Sequence, residues 1–189
     1  MLFRSPLASV EWRTYDWRLT RTANPLAARP DFALVAIDEY SLRNLEPNAG
    51  RWPWPRAVHS MLIDYLARAP ARVVVYDVNF AEPDRRSGFP FGGSTWSGAE
   101  SDQALVDSVK ASGNVLLPID ASFEGDVASS AASPSPADQG FHPGGSGALD
   151  RRVVFPPFGA LAEAAAGFGH SLFILDSDGP IRQIGRAHV

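Results

Sequence analysis

Hydrophobic residues follow two patterns along the chain. One is the helical spacing of apolar residues, and the other is the continuous apolar run typical of a buried strand. Apolar residues at helical spacing predict helices over residues 8–21, 56–69, 101–112 and 158–166. Pro55 precedes the second helix and Gly167 follows the last, as expected at helix starts and ends. Continuous apolar runs predict buried strands over residues 32–38, 72–80 and 114–120.

The order of these elements predicts the fold class. Strand, helix and strand over about fifty residues is the pattern of a right-handed parallel crossover. Residues 170–184 add a strand, a tight turn and the start of a returning strand. We therefore predict an α/β fold with three layers: a mostly parallel central sheet flanked by helices, with long loops at its carboxyl edge.

An aspartate lies at the carboxyl end of each predicted strand, at Asp38, Asp77 and Asp120. In open α/β sheets this is the edge at which ligands bind. Long segments without periodicity follow the strands, over residues 39–55, 80–100 and 121–150. Loops of that length are usually functional or disordered, so this edge is the candidate binding edge.

The segment RWPWPR, residues 51–56, places two indoles and two prolines in the first of these loops. In one interpretation Trp52 and Trp54 cover the hydrophobic core and Arg56 pairs with a nearby aspartate. In the other, the indoles line a ligand pocket. The candidate ligand-sensing residues are Asp38, Trp52, Trp54, Arg56 and Asp77.

Strand-end carboxylates also raise the question of catalysis, because Mg²⁺ accepts one or two carboxylates plus waters. The residues Asp38, Glu39, Asp77 and Asp84 could supply them, although aspartate at a strand end equally caps the following turn. The four histidines lack metal-ligand spacing, and no nucleophile elbow, phosphate-binding loop or dinucleotide fingerprint follows a strand. We predict no catalytic residue, metal or cofactor. A soluble Mg²⁺-dependent hydrolase using Asp38 and Asp77 is the alternative.

Composition narrows the class of partner. The net charge is -4 and no basic stripe appears, so nucleic acid is not an expected partner. No run approaches the ~20 apolar residues that span a bilayer.

Several blocks together resemble a known family. They are VAIDEYSL (35–42), RWPWPRAVHSMLIDYL (51–66), VVVYDVNFAEPD (73–84) and GNVLLP (113–118), with TYDWRLT (14–20) and FGHSLFILDSDGPIR (168–182) fitting the same pattern. They resemble the second type of CHASE domain, the cyclase/histidine-kinase-associated sensory extracellular domain, over nearly the whole chain. The resemblance implies an extracytoplasmic sensor with no catalytic residues of its own. It also implies the periplasmic or extracellular part of an inner-membrane protein, attached to a cytoplasmic nucleotide cyclase, histidine kinase, diguanylate cyclase or serine/threonine kinase.

On this resemblance we expect residues 1–30 to form a juxtamembrane helix and linker and residues 31–183 an incomplete sensor domain. Residues 121–152 would be a mobile low-complexity insertion. Residues 184–189, IGRAHV, match a translated sequencing adapter and are expected not to derive from the protein. The expected partners are an unknown small ligand or envelope stimulus, and the membrane through helices absent from this chain. A third hypothesis is a dimerising domain with Trp52 and Trp54 buried between protomers.

Overall fold

The computed structural model describes residues 6–24, 31–69, 71–122 and 153–170. The chain divides into two compact units, Met1–Ser41 and Leu42–Val189. The first unit contains helix α1, Pro6–Thr22, and residues 32–38, which belong to neither a helix nor a strand. Helix α2, Glu39–Ala49, contains the boundary between the units.

The second unit carries the remaining helices and all the strands of the described residues. In chain order these elements are α3 (Arg56–Ala67), β1 (Val74–Val75), β2 (Phe89–Phe91), β3 (Ser94–Trp96), α4 (Gly98–Ser112), β4 (Val115–Ser122), β5 (Val153–Phe155), α5 (Gly159–Ala164) and β6 (Gly167–His170).

Strand β4 is the centre of the main sheet. It pairs in parallel with β1, at Val75↔Leu116, and with β6, at Leu116↔Gly167. Further along, β4 pairs antiparallel with β5. Strands β2 and β3 form a separate antiparallel hairpin. The parallel three-stranded sheet with its flanking helices confirms the predicted α/β fold and its mostly parallel sheet.

The hydrophobic core lies between this sheet and helices α3, α4 and α5. Its members share nearly complete burial, from 0% to 6% exposed, and are Ile63, Tyr76, Phe80, Leu105, Val109, Val115, Leu117 and Leu161. Leu105 and Val109 are four residues apart and so share one face of α4. Val115 and Leu117 are two residues apart and share one face of β4. The sequence periodicities therefore identify both core faces.

The predicted strand over residues 32–38 is wrong. These residues form no described strand, and Phe32, Leu34 and Val35 are 78%, 95% and 59% exposed. A strand needs a neighbour to receive its ladder hydrogen bonds, and an apolar run alone does not supply one. The predicted strand over residues 72–80 is shortened to Val74–Val75. Its ladder ends because the Val78 N–H donates to the carbonyl of Tyr76 at 2.9 Å instead of to a neighbouring strand.

Two of the predicted loops contain regular structure. Residues 39–55 include α2, whose start is capped by Asp38, and residues 80–100 include the β2–β3 hairpin and the first turn of α4. Helix α4 begins before the predicted residue 101 because Ser97 and Glu100 form a reciprocal capping box. Apart from residue 170, the predicted strand, tight turn and returning strand over residues 170–184 lie outside the described residues, as does most of the 121–150 segment.

Helix α4 begins in close contact with the backbone of residues 84–86. The Gly98 N–H donates to the carbonyl of Arg86 at 2.8 Å, and a Cβ at position 98 would overlap the carbonyl of Asp84. Only glycine fits here without a backbone shift.

We therefore expect Gly98→Ala to lower the free energy of unfolding by roughly 2–4 kcal/mol, because the obstructing atoms are backbone atoms. The matched control is Gly159→Ala, since a Cβ there meets nothing within 4 Å. In the helical first turn of α5 this change should move stability by about 1 kcal/mol or less. Urea unfolding measures both, and equal effects of the two variants would contradict the described packing.

Candidate functional site

The segment 51–56 leads directly into α3 at the carboxyl edge of the sheet. Its Trp52–Pro53 peptide bond is cis, and Pro55 occupies the N-cap position of α3. One backbone N–H at the start of α3, that of Ala57, donates to the buried Ser101 hydroxyl at 2.8 Å. This bond satisfies one of the donors that a helix start leaves unpaired and fixes α3 against α4.

The Arg56 side chain contacts two buried carboxylates from different parts of the chain. Its Nη1 lies 3.8 Å from Asp84 Oδ2 and its Nε lies 3.5 Å from Asp102 Oδ1. Its Nη2 donates to the carbonyl of Glu82 at 2.9 Å. The Asp84 and Asp102 side chains are only 2% and 10% exposed. A single guanidinium thus joins the start of α3 to the 82–84 segment and to α4.

A second arginine completes this ion cluster, which comprises Arg56, Asp84, Arg86 and Asp102. Arg86 Nε lies 3.4 Å from Asp84 Oδ1, and its Nη2 donates to the carbonyl of Pro53 at 2.9 Å. The Asp84 N–H donates to Asp102 Oδ2 at 2.8 Å. Two cations face two anions, so the buried charges are compensated. Burial nevertheless raises the pKa of the Asp102 carboxyl, while the Asp84 N–H and Arg56 act to lower it.

The ion pairs of this cluster are longer than charge-assisted hydrogen bonds usually are. Arg56 Nε, Asp84 Oδ2 and Asp102 Oδ1 are buried and form no hydrogen bond within the part of the chain that is described. Their stabilisation therefore comes from the proximity of opposite charges in a poorly hydrated site rather than from directed bonds.

Beside the ion cluster lies an aromatic cluster of Trp52, Trp54, His59, Tyr76 and Phe80. The ring centroid of His59 lies 5.7 Å from that of Trp52, 6.1 Å from that of Trp54, 5.9 Å from that of Tyr76 and 5.1 Å from that of Phe80. Four of the five residues are at most 6% exposed, whereas Trp52 is 44% exposed. Trp52 is thus the member of the cluster that faces solvent, and the other four are buried. Phe80 connects the two clusters, because the Arg56 guanidinium carbon lies 5.7 Å from its ring centroid.

At the centre of the aromatic cluster, His59 Nδ1 lies 2.7 Å from the Tyr76 hydroxyl oxygen. Burial, and next the positive charge of Arg56, lower the pKa of His59 to about 4. Burial raises the pKa of the Tyr76 hydroxyl. At neutral pH His59 is therefore uncharged, and the protonated Tyr76 hydroxyl can donate to Nδ1.

Of the five candidate sensing residues, the structure brings Trp52, Trp54 and Arg56 together. Trp54 is buried by its own chain, so it is not available to a second protomer, and Arg56 pairs with aspartates as one interpretation of the sequence expected. Asp77 is exposed just after β1. Asp38 belongs to the first unit, where its carboxylate accepts hydrogen bonds from the Ser41 N–H and hydroxyl, which lower its pKa. The sensing role of these residues stays a prediction.

Sequence reasoning missed His59, at the centre of the aromatic cluster, and Asp102, which pairs with Arg56. A signal for His59 exists, because it lies four residues before the buried Ile63 and so faces the core side of α3. Asp102 carries no such signal, since its role depends on a contact with Arg56 from another helix.

The hypothesis of a metal-dependent hydrolase gains no support from the geometry. The described residues contain no group of three or more His, Cys, Asp or Glu side chains that could hold a metal ion. Asp38 instead serves as a helix cap, the role that strand-end aspartates often take.

Comparison with known proteins gives one match. The family model described as CHASE2 domain matches residues 1–188. Neither a curated protein nor a solved structure matches the chain significantly. Among the helices of the described residues, none combines the length and the apolar character that crossing a membrane requires.

The buried imidazole makes stability depend on pH in a definite direction. The folded-state pKa of His59, about 4, lies below its ordinary value of 6.5, so the unfolded chain takes up the proton first as pH falls. The stability linked to neutral His59 is present above pH 6.5 and is lost as pH falls from 6.5 to about 4. The gap between the two pKa values corresponds to about 3 kcal/mol.

We expect His59→Gln to remove this part of the pH dependence, because glutamine offers hydrogen bonds without titrating. Urea unfolding of both proteins between pH 4 and 7.5 gives the difference. Curves that run parallel over the whole range would contradict the burial of a neutral imidazole.

Proposed function

Because the chain belongs to the CHASE2 family of extracytoplasmic sensory domains, we propose that it is the stimulus-detecting part of a transmembrane signalling receptor. The receptor lies in the inner membrane, with this domain on its periplasmic or outer side. Its cytoplasmic output is an adenylate or guanylate cyclase, a histidine kinase or a serine/threonine kinase. The chain itself carries out no catalysis. The observation that carries the proposal is the family match over residues 1–188.

The construction of the second unit supports a sensory role. Helices α3 and α4 pack against each other, and the ion cluster joins the beginnings of both to the 82–86 segment. A disturbance at residues 51–56 therefore acts on two helices at once. Signal transfer requires two states with different affinities for the stimulus, and a compact junction of this kind can have two discrete arrangements.

The stimulus acts at the surface around Trp52. This indole is 44% exposed and contacts both Trp54 and His59. Half-exposed tryptophan is common where a protein recognises a partner, because the ring offers a large apolar area with a polar tip. A small ligand, an envelope stimulus or a second copy of the domain would each be felt at this side chain.

Reading the complete gene tests this proposal. We expect apolar membrane-spanning segments on both sides of the sensory domain and a cyclase or kinase domain beyond them. A reading frame without membrane segments on either side would contradict it. The soluble hydrolase would then become the hypothesis to test, by titrating Mg²⁺ and Mn²⁺ into the wild-type chain and into Asp77→Ala.

A further inference from the structure

We propose that the stimulus this domain detects is the proton, and that His59 within the aromatic cluster is the site where it binds. This inference rests on the proposed sensory function and names its input. His59 is 2% exposed and in contact with rings from the 51–55 segment and from the residues that follow β1. A charge created there acts on both of these segments and on α3, which carries His59.

Access to the site requires little movement. Of the four rings around His59, those of Trp54, Tyr76 and Phe80 are buried, and the ring of Trp52 is 44% exposed. Trp52 stands edge-on to the imidazole, with an interplanar angle of 77°. Displacement of this one side chain would bring water to His59, so proton entry does not require the core to open.

The charges around His59 disfavour an imidazolium in the closed arrangement, which is the described one with Trp52 in contact with His59. On α3 itself, Arg56 lies three residues earlier and its positive charge opposes protonation of His59. From the segment after β1 come the Tyr76 hydroxyl and Asp84, and from α4 comes Asp102. Both carboxylates are paired with Arg56. In the described part of the chain no ion pair to His59 occurs.

Hydrogen bonding also disfavours a protonated His59 in the closed arrangement. Nδ1 of a protonated imidazole could donate to the Tyr76 hydroxyl oxygen, 2.7 Å away. The Tyr76 hydroxyl, which donates to Nδ1 of the neutral ring, would then have to accept instead, and a positive charge would lie within a group of aromatic rings, which is costly. Protonation therefore favours an open arrangement in which Trp52 has moved and His59 contacts water.

The size of the effect follows from the two protonation equilibria. The pKa of His59 is about 4 when closed and returns toward 6.5 in contact with water. The ratio of open to closed molecules then rises about tenfold between pH 7.5 and 5.5, and by up to roughly 300-fold at strongly acidic pH. For a state populated at about 5%, a tenfold change raises the population to roughly a third and a 300-fold change raises it above about 90%.

A movement of Trp52 can affect the ion cluster through the neighbouring residue Pro53. The carbonyl of Pro53, next to Trp52, accepts a hydrogen bond from Arg86 Nη2 at 2.9 Å, and Arg86 pairs with Asp84. Movement of Trp52 and Pro53 therefore strains the ion cluster, which holds α3 and α4 together.

The experiment follows tryptophan emission and iodide quenching of the purified 189-residue chain from pH 7.5 to 4.5 at constant ionic strength, with far-UV circular dichroism recorded alongside. We expect a reversible increase in quenching on acidification while the helical signal is retained. His59→Gln should abolish the change, and the control His142→Gln, at a position outside the described residues, should keep it. Trp52→Phe should remove most of the signal and still fold, because the side chain it replaces is half-exposed.

Three results would overturn the inference: a flat wild-type profile, a profile unchanged in His59→Gln, or loss of helical signal in step with the emission change. If His59→Gln does not fold, imidazole ¹⁵N resonances of the wild-type chain replace it. A His59 titration that coincides with movement of the Trp52 indole resonance supports the inference, and separate midpoints overturn it. None of these failures bears on the sensory function itself, which the gene context tests.

Discussion

The arrangement at the carboxyl edge depends on one interaction, the pairing of Arg56 with two carboxylates buried inside the domain. A positive side chain in the first turn of a helix is unfavourable to the helix itself, because the N-terminal end of the helix dipole is positive. Its place at the start of α3 is therefore explained by Asp84 and Asp102. Buried charges are costly when unpaired, so Arg56, Asp84 and Asp102 require one another.

The aromatic cluster depends on this pairing in turn. Phe80 contacts the Arg56 guanidinium on one side and the His59 ring on the other, with centroid distances of 5.7 Å and 5.1 Å. The same positive charge that compensates the aspartates helps to keep His59 neutral. A single arginine thus joins two helices and adds to the effect of burial in keeping the neighbouring imidazole neutral. A domain built in this way can convert a change at one exposed indole into a change at its helix junction.

The sequence predicts those parts of the fold whose cause is local. Helices with a clear apolar period appear where expected, and the run over residues 114–120 becomes β4 because neighbours are available on both of its sides. The equally apolar run over residues 32–38 remains unpaired in the described structure, since pairing depends on distant residues that a local pattern does not contain. Helix α2 is missed for the opposite reason, because it is polar and its start is fixed by the Asp38 cap.

In the candidate site, too, the sequence identifies features with a local cause and misses those that depend on distant residues. The composition of residues 51–56 marks Trp52, Trp54 and Arg56 as unusual, and the structure brings them together. Composition does not show which indole is buried, nor that Arg56 pairs with a residue 46 positions later, because only the packing of α3 on α4 creates that contact. Family resemblance indicates the sensory class, whereas the proposed means of sensing depends on long-range contacts that a local pattern does not contain.

The most direct test of this account is a double-mutant cycle between Arg56→Met and Asp102→Asn, measured by urea unfolding. We predict a coupling free energy of about 2 kcal/mol or more, because each single change leaves a buried charge without its partner. The control cycle uses Arg51 and Glu46, an ion pair at 3.0 Å whose side chains are 89% and 50% exposed. It should give at most about 1 kcal/mol. A coupling between Arg56 and Asp102 no larger than that of the exposed pair would contradict the central role of Arg56.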